Sequence, residues 1–159
     1  MLHNLSGKTA RDESPSHQMS SVIGPTEVAD VMTGKVVTLS PHHTFNDAAN
    51  LMTDRHFRHC VVVDHNHKPV GVISDRDIFR ALARNPNSRS KSVEQIMTRD
   101  PITVKPDTPI IAAVSKLLSK RINCLPVIEN DGTVCGIVTS TDLLKSYKQL
   151  LELVQKQGG

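Results

Sequence analysis

Apolar and polar positions follow one pattern that runs through the chain twice. Short β-branched runs, VVTL at Val36–Leu39, CVVV at Cys60–Val63 and VGVIS at Val70–Ser74, read as strands. Between the first two lies an amphipathic helix opened by Thr44-x-x-Asp47, and Pro41 closes the strand before it. The same order returns further on. ITV at Ile102–Val104 reads as a strand closed by Pro106, Thr108 with Pro109 at the first helical position opens a helix, and Leu125–Ile128 and Val134–Thr139 follow as a strand pair. The connecting segments DHNHK and ENDGT have the composition of hairpin turns. A short helix precedes each series, from Thr26 in the first and from Ser92 in the second, where Ser92 and Gln95 have capping-box spacing. A last helix begins just after Ser74 or Thr139.

The two series align without a gap. Val28, Met32, Thr33, Thr38, Pro41, Ala48, Val62, Gly71 and Asp77 recur as Val93, Met97, Thr98, Thr103, Pro106, Ala113, Val127, Gly136 and Asp142, each 65 residues on. One supersecondary unit has been built twice, and two such units can bury a shared face between two related clefts. Residues 1–24 are polar and aperiodic and read as a flexible N-terminal tail. Residues 25–83 form the first repeat, 84–91 (RNPNSRSK from Arg84) a polar linker, 92–150 the second repeat, and 151–159 a helix extension and tail. In the final helix Leu143, Leu144, Tyr147, Leu150, Leu151 and Val154 recur at three- and four-residue spacing, so part of the stripe closes the core and part can pack on a partner subunit.

Composition narrows the function. Of 159 residues 38% are hydrophobic and 3% aromatic, so the core is aliphatic and platforms for stacking nucleic-acid bases are nearly absent. A formal charge of +3, spread along the chain, gives no nucleic-acid footprint. No apolar run approaches the ~20 residues that span a bilayer, and the N-terminus lacks the apolar centre of a secretion signal. Cys60, Cys124 and Cys135, an odd number without CxxC spacing, fit buried small side chains in a reducing, cytoplasmic setting. The eight histidines include His56 with His59, His42 with His43 and His65 with His67, none with companions at metal-ligand spacing. No GxSxG, HExxH or P-loop pattern occurs, and an enzyme is not expected.

The candidate chemistry lies at one repeated junction. Gly71-Val72-Ile73-Ser74-Asp75-Arg76-Asp77 and Gly136-Ile137-Val138-Thr139-Ser140-Thr141-Asp142 each run a buried strand into a helix with a hydroxyl at the cap. The free N–H groups there suit a phosphate, and a carboxylate one turn in can accept both hydroxyls of a ribose. Ser/Thr-x-x-Asp is equally a capping box that binds nothing. Two copies in the same frame weigh toward a ligand.

The pattern MT-x₃-hT-h-x-P, an amphipathic helix, LPVI-x-x-x-G and GIVTSTDLL resembles a CBS domain, and two in tandem resemble a Bateman module. The resemblance covers about Val28 to Leu150. It implies an α+β fold (α/β mixed), two β-α-β-β-α repeats packed through their sheets as a pseudo-two-fold pair. The first copy departs where Cys60-Val61 stands for Leu125-Pro126 and His67 for Gly132. The resemblance implies a sensor for adenosine ligands (AMP, ADP, ATP, S-adenosylmethionine or NAD-type) without a catalytic cofactor. One cleft would join Thr139 and Asp142 to Thr33, Val37, Thr38, Arg58 and His59. The other would join Ser74 and Asp77 to Thr98, Ile102, Thr103, Asn123 and Cys124. Aspartate would bind ribose, backbone near Arg58–His59 or Asn123–Cys124 would read adenine, and Val37 or Ile102 would cover its face. Arg76 and Arg121 both fall to the Asp77 cleft, which is therefore expected to prefer the more highly charged ligand. With no catalytic, transport or DNA-binding domain in view, such a sensor is expected to homodimerise and to signal in trans to a protein partner. The rival expectation is a structural dimerisation module with no small-molecule ligand.

Overall fold

The computed structural model describes residues 24–159, so the expected tail lies almost wholly outside the described residues. Strand β1 (Thr38–Leu39) leads into helix α1 (Phe45–Arg55), then β2 (His59–Val63), β3 (Pro69–Ser74) and helix α2 (Asp75–Arg84). A single helical turn α3 (Val93–Ile96) and β4 (Thr98–Arg99) precede α4 (Ile110–Lys120), β5 (Cys124–Ile128), β6 (Val134–Thr139) and the long α5 (Ser140–Gln157). The architecture is the α+β arrangement that the resemblance implied.

Local chemistry accounts for most boundaries. Thr44 Oγ1 accepts from the Asp47 N–H at 3.1 Å while the Thr44 N–H donates to the Asp47 carboxylate at 2.8 Å, a reciprocal cap on α1. Helices α1 and α4 both end on a left-handed residue, His56 (φ 56°) and Arg121 (φ 53°), which turns the chain back toward β2 and β5. The two hairpins match: Asp64 N–H donates to Lys68 C=O at 2.9 Å and Glu129 N–H to Thr133 C=O at 2.8 Å. His67 adopts φ 61° where the second hairpin has Gly132 at 86°. The Asp64 carboxylate offsets that strain by accepting from the N–H groups of Asn66 and Lys68.

Three expectations change, and one polar segment gains a turn. The strand expected at Ile102–Val104 contracts to one parallel bridge, Val104 with Val127. The helix expected from Thr26 is a 3-10 turn, Val28–Asp30. Helix α4 begins at Ile110 with Pro109 at the cap, because Thr108 Oγ1 turns away to accept the Lys105 N–H at 2.9 Å. The polar segment after α2 is not extended. Pro86–Ser90 forms a 3-10 turn whose Ser88 is buried, its hydroxyl donating to Ala81 C=O at 2.9 Å.

The repeats exchange their opening arms. The four-stranded sheet runs β1-β2-β3-β4, so β4, from the second repeat, pairs with β3 of the first (Val72 opposite Thr98). The matching arm of the first repeat crosses the other way, and Thr33 bridges Ile137 on β6. Upstream of these strands Val28 N–H donates to Thr108 C=O at 2.9 Å, and Val93 N–H donates to His43 C=O at 2.7 Å. Val28 is thus buried with Ala113, Leu117, Leu125, Val127 and Val138. Val93 is buried with Leu39, Ala48, Met52, Cys60, Val62 and Ile73. A third cluster, Val61 and Val63 with Cys124, Val134 and Ile137, joins the two sheets face to face. Each fully buried Val or Ile side chain in these layers contributes about 1.5–3 kcal/mol.

Candidate functional site

Two strand-to-helix junctions carry the candidate residues, and both have the same geometry. Ser74 Oγ accepts from the Asp77 N–H at 3.1 Å, while the Ser74 N–H and hydroxyl donate to Asp77 Oδ2 at 2.8 and 3.0 Å. Thr139 and Asp142 repeat this at 2.8, 3.0 and 3.3 Å. One carboxylate oxygen of each aspartate is therefore spent on the cap, and Oδ1 projects from it. The capping and ligand readings coexist, because each uses a different oxygen.

The crossed arms deliver a threonine to each junction. Thr33 Oγ1 donates to Asp142 Oδ1 at 3.4 Å. Thr98, its counterpart, borders the same pocket as Asp77. Gly71 and Gly136 make that approach feasible. A Cβ on Gly71 would lie 2.4 Å from Met97 Sδ and 3.0 Å from Thr98 C=O; on Gly136 it would lie 2.7 Å from Met32 Sδ and 3.1 Å from Thr33 C=O. The glycine that opens each motif is thus explained by the crossing arm, a role invisible in either repeat alone.

The remaining candidates distribute as follows. Arg58 C=O accepts the Asp75 N–H at 3.0 Å and His59 pairs with Ser74, so Arg58 and His59 lie beside the first junction. Asn123 and Cys124 lie beside the second, Asn123 C=O accepting the Ser140 N–H at 3.0 Å and Cys124 pairing with Thr139. Burial holds the His59 imidazole below its ordinary pKa, partly opposed by the carboxylates of Asp75 and Asp77. Burial pushes the Cys124 thiol up to about 12, with Asp77 adding to the shift. Each pair thus borders the junction of its own repeat, whereas the resemblance joined Arg58 and His59 to Asp142, and Asn123 and Cys124 to Asp77. Thr38 pairs with Val61, and Val37 and Thr38 border a shallow depression against α1. Ile102 packs on the second repeat's core, and Thr103 C=O accepts from Lys116 Nζ at 3.4 Å. Arg76 is exposed in the first turn of α2, its N–H held by Asp75, and Arg121 is the exposed left-handed cap of α4.

The cation that meets Asp77 is Arg80, 4.0 Å from Oδ1. With Arg84 and Lys91 it lines a pocket of about 280 Å³ between α2, the Pro86–Ser90 turn and α3. Sequence reading missed all three. Arg80 and Arg84 follow Asp77 at helical spacing and so were within reach, but Lys91 belonged to a segment read as linker. Among the described residues no three His, Cys, Asp or Glu side chains gather as a metal set, and no helix is long and apolar enough to cross a membrane.

The fold and its paired junctions define a class: tandem repeats whose sheets pack about a pseudo-two-fold, with a capped strand-to-helix junction in each. The CBS domain matches at residues 28–84 and again at 93–149, so this chain belongs to the CBS-domain family and carries two copies. A CBS-domain pair solved with 5′-methylthioadenosine and S-adenosyl-L-methionine is 33% identical with a TM-score of 0.71, over 77% of this chain and 99% of the other. CBSX2 in complex with AMP is 27% identical with a TM-score of 0.71, over 79% and 98% of the two chains; CBSX2 is from Arabidopsis thaliana. A homoserine O-acetyltransferase of Methanohalobium evestigatum is 33% identical over 134 residues, 84% of this chain but 27% of the enzyme. The chain thus spans about a quarter of the length of that curated relative.

Proposed function

We propose that the chain is a regulatory sensor that binds an adenosine-containing ligand at the two junctions and reports occupancy to a protein partner in trans. The observation that carries this is the pair of aspartates, Asp77 and Asp142, each with one oxygen held in a cap; the other oxygen of Asp142 meets Thr33 on the arm from the opposite repeat, and that of Asp77 faces Arg80 in a pocket that Thr98 of the crossing arm also lines. A cis-diol seated on Oδ1 meets a preorganised acceptor, and the neighbouring helix N–H groups and hydroxyl suit its 5′ substituent. The adenosine ligands in the two related structures support the same reading.

The hydroxyls beside the aspartates, those of Ser74, Thr139 and Thr33, all donate to the carboxylates, which suits a binding role. Signalling then requires a ligand with different affinity for two arrangements of the repeats. The arms that cross between repeats are the element that ligand occupancy would stiffen.

A second reading has its own observation. Phe79, Ile111, Leu118, Leu144 and Tyr147 are exposed apolar side chains on α2, α4 and α5. They support a homodimer, which the sensor would also form, or a dimerisation module without ligand. Melting temperature against AMP, ADP, ATP, S-adenosylmethionine and NAD, with GTP as control, separates the two. Ligand at 100 times its dissociation constant stabilises by about 2.7 kcal/mol. A selective adenosine shift upholds the sensor; no shift with a dimer by light scattering leaves the structural module.

A further inference from the structure

We infer that the pocket beside Asp77 seats a phosphate chain, so that the first junction takes a nucleoside di- or triphosphate while the second does not. This rests on the reading of Asp77 as a ribose acceptor and assigns the ligand's charge class.

The pocket is built on α2 and the turn that follows it. Arg80 stands one turn beyond Asp77 and Arg84 one turn further, while Lys91 closes the opposite wall. Asp77 and Thr98 also line it. Three cations against one carboxylate leave it with a net charge of +2. Guanidinium forks match phosphate oxygens two at a time, which makes Arg the stronger recogniser of a phosphate chain. At the C-terminal end of α2, Ala81 C=O is engaged by the Ser88 hydroxyl and the Asn85 N–H, at 2.9 and 3.0 Å, so that carbonyl is not left facing a phosphate. Ser88, 1% exposed, pins the turn that carries Lys91 toward the pocket. At about 280 Å³ the cavity is below the roughly 300–1,000 Å³ of a whole small-molecule site. It suits the phosphates of a ligand whose sugar hydroxyls rest on Asp77.

The second junction lacks the device. Positions 65 residues from Arg80 and Arg84 hold Lys145 and Gln149, and the counterparts of Lys91 and Gln95 are Thr26 and Asp30. Asp30 there accepts the N–H groups of Thr26 and Glu27 at 3.0 and 2.9 Å, fixing a carboxylate where the first junction has an amide. With Asp142 and Lys145 the set sums to −1, which opposes a polyphosphate and suits a neutral or cationic 5′ group.

The test is calorimetric titration of the intact chain with AMP, ATP and inorganic tripolyphosphate, on wild type, Arg84→Gln/Lys91→Gln and the control Lys145→Gln, each checked for an unchanged melting temperature. Wild type is expected to bind ATP at least about tenfold tighter than AMP, and the double variant to lose that preference while AMP affinity holds; tenfold corresponds to about 1.4 kcal/mol. Lys145→Gln should retain it. An ATP-to-AMP ratio unchanged in the double variant overturns the proposal and leaves the adenosine reading standing. Tripolyphosphate bound by wild type and lost in the double variant, with neither AMP nor ATP bound more tightly than tripolyphosphate, keeps the phosphate seat and overturns adenosine recognition at this junction. Binding of none of the three overturns the proposal, and S-adenosylmethionine and NAD then test the adenosine reading by themselves.

Discussion

Thr33 and Asp142 stand 109 residues apart in the chain, yet the Thr33 hydroxyl reaches Asp142 Oδ1 at 3.4 Å. That distance is long for an O–H···O bond, so the contact contributes little and its acceptor is readily handed to another hydroxyl. Thr33→Val should change unfolding free energy by less than about 0.5 kcal/mol. Asp142→Ala, which also removes the cap on α5, should cost about 1 kcal/mol. It should also weaken adenosine-ligand binding at that junction more than about tenfold, the cost of a charge-assisted hydrogen bond. Denaturant melts and calorimetry read both; an Asp142→Ala chain with unaltered affinity for every adenosine ligand would remove ribose from this site.

Gly71→Ala should be costly for a residue with no unusual backbone angle. Its Cβ would meet Met97 Sδ at 2.4 Å and Thr98 C=O at 3.0 Å. Overpacking of this kind costs about 1–3 kcal/mol. Met97→Ala removes the sulfur but not the carbonyl, so the double variant should recover part of the Gly71→Ala loss beyond additivity. Strict additivity in a double-mutant cycle would mean that the arm does not press on β3.

The three thiols should differ in reactivity. Burial pushes Cys60 up to about 11 and Cys124 up to about 12, and raises the half-buried Cys135 as well. Alkylation needs the thiolate. At pH 8 the native chain should therefore be labelled first at Cys135, with Cys60 and Cys124 modified only on unfolding, as mapped by mass spectrometry.

His59 should make stability fall with acidification from near neutrality. Burial depresses its folded pKa below the ordinary 6.5. The unfolded chain then binds a proton that the folded chain refuses. Stability is fully present above about pH 6.5 and declines below it until His59 charges in the fold, with a slope of at most about 1.4 kcal/mol per pH unit for one proton. Asp30 and Asp47, held below their ordinary values chiefly by backbone N–H donors, act in the same direction but only in the carboxylate range. His59→Asn should flatten the upper window alone in urea melts taken from pH 7 to pH 5.

The exchange of arms predicts where a core cavity is felt. Val28→Ala should cost about 2 kcal/mol, within the range for large-to-small core changes. Its loss of hydrogen-exchange protection should fall on α4, β5 and β6, where Val28 is buried, and not on β2 and β3, its neighbours in sequence. Val93→Ala should show the reverse pattern, on α1, β2 and β3.

These effects mark how far the sequence could be read. The repeat, the hairpins and the capped junctions were legible because each rests on local chemistry: Thr44 with Asp47, Ser74 with Asp77, Thr139 with Asp142. The strand at Ile102–Val104 was over-read, since β-branched composition does not reveal that only Val104 finds a partner. Thr108 misled for a similar reason, its hydroxyl serving a turn with Lys105 rather than the helix. Periodicity within one repeat cannot say which copy supplies the arm beside its β-sheet; only the family resemblance indicated a crossing. Lys91 was illegible as a site residue because its neighbours, Pro86 to Ser90, have the composition of a connector.

The crossed arms also fix where a pull on the chain would act. Tension applied upstream of Thr26 would bypass the repeat that follows it and enter the second repeat, first through the hydrogen bonds of Thr26, Val28 and Ala29 with Ile110, Thr108 and Pro106, at 2.9 Å each, and then through Thr33 and Ile137. The half more distant in sequence would take up the load before the adjacent one.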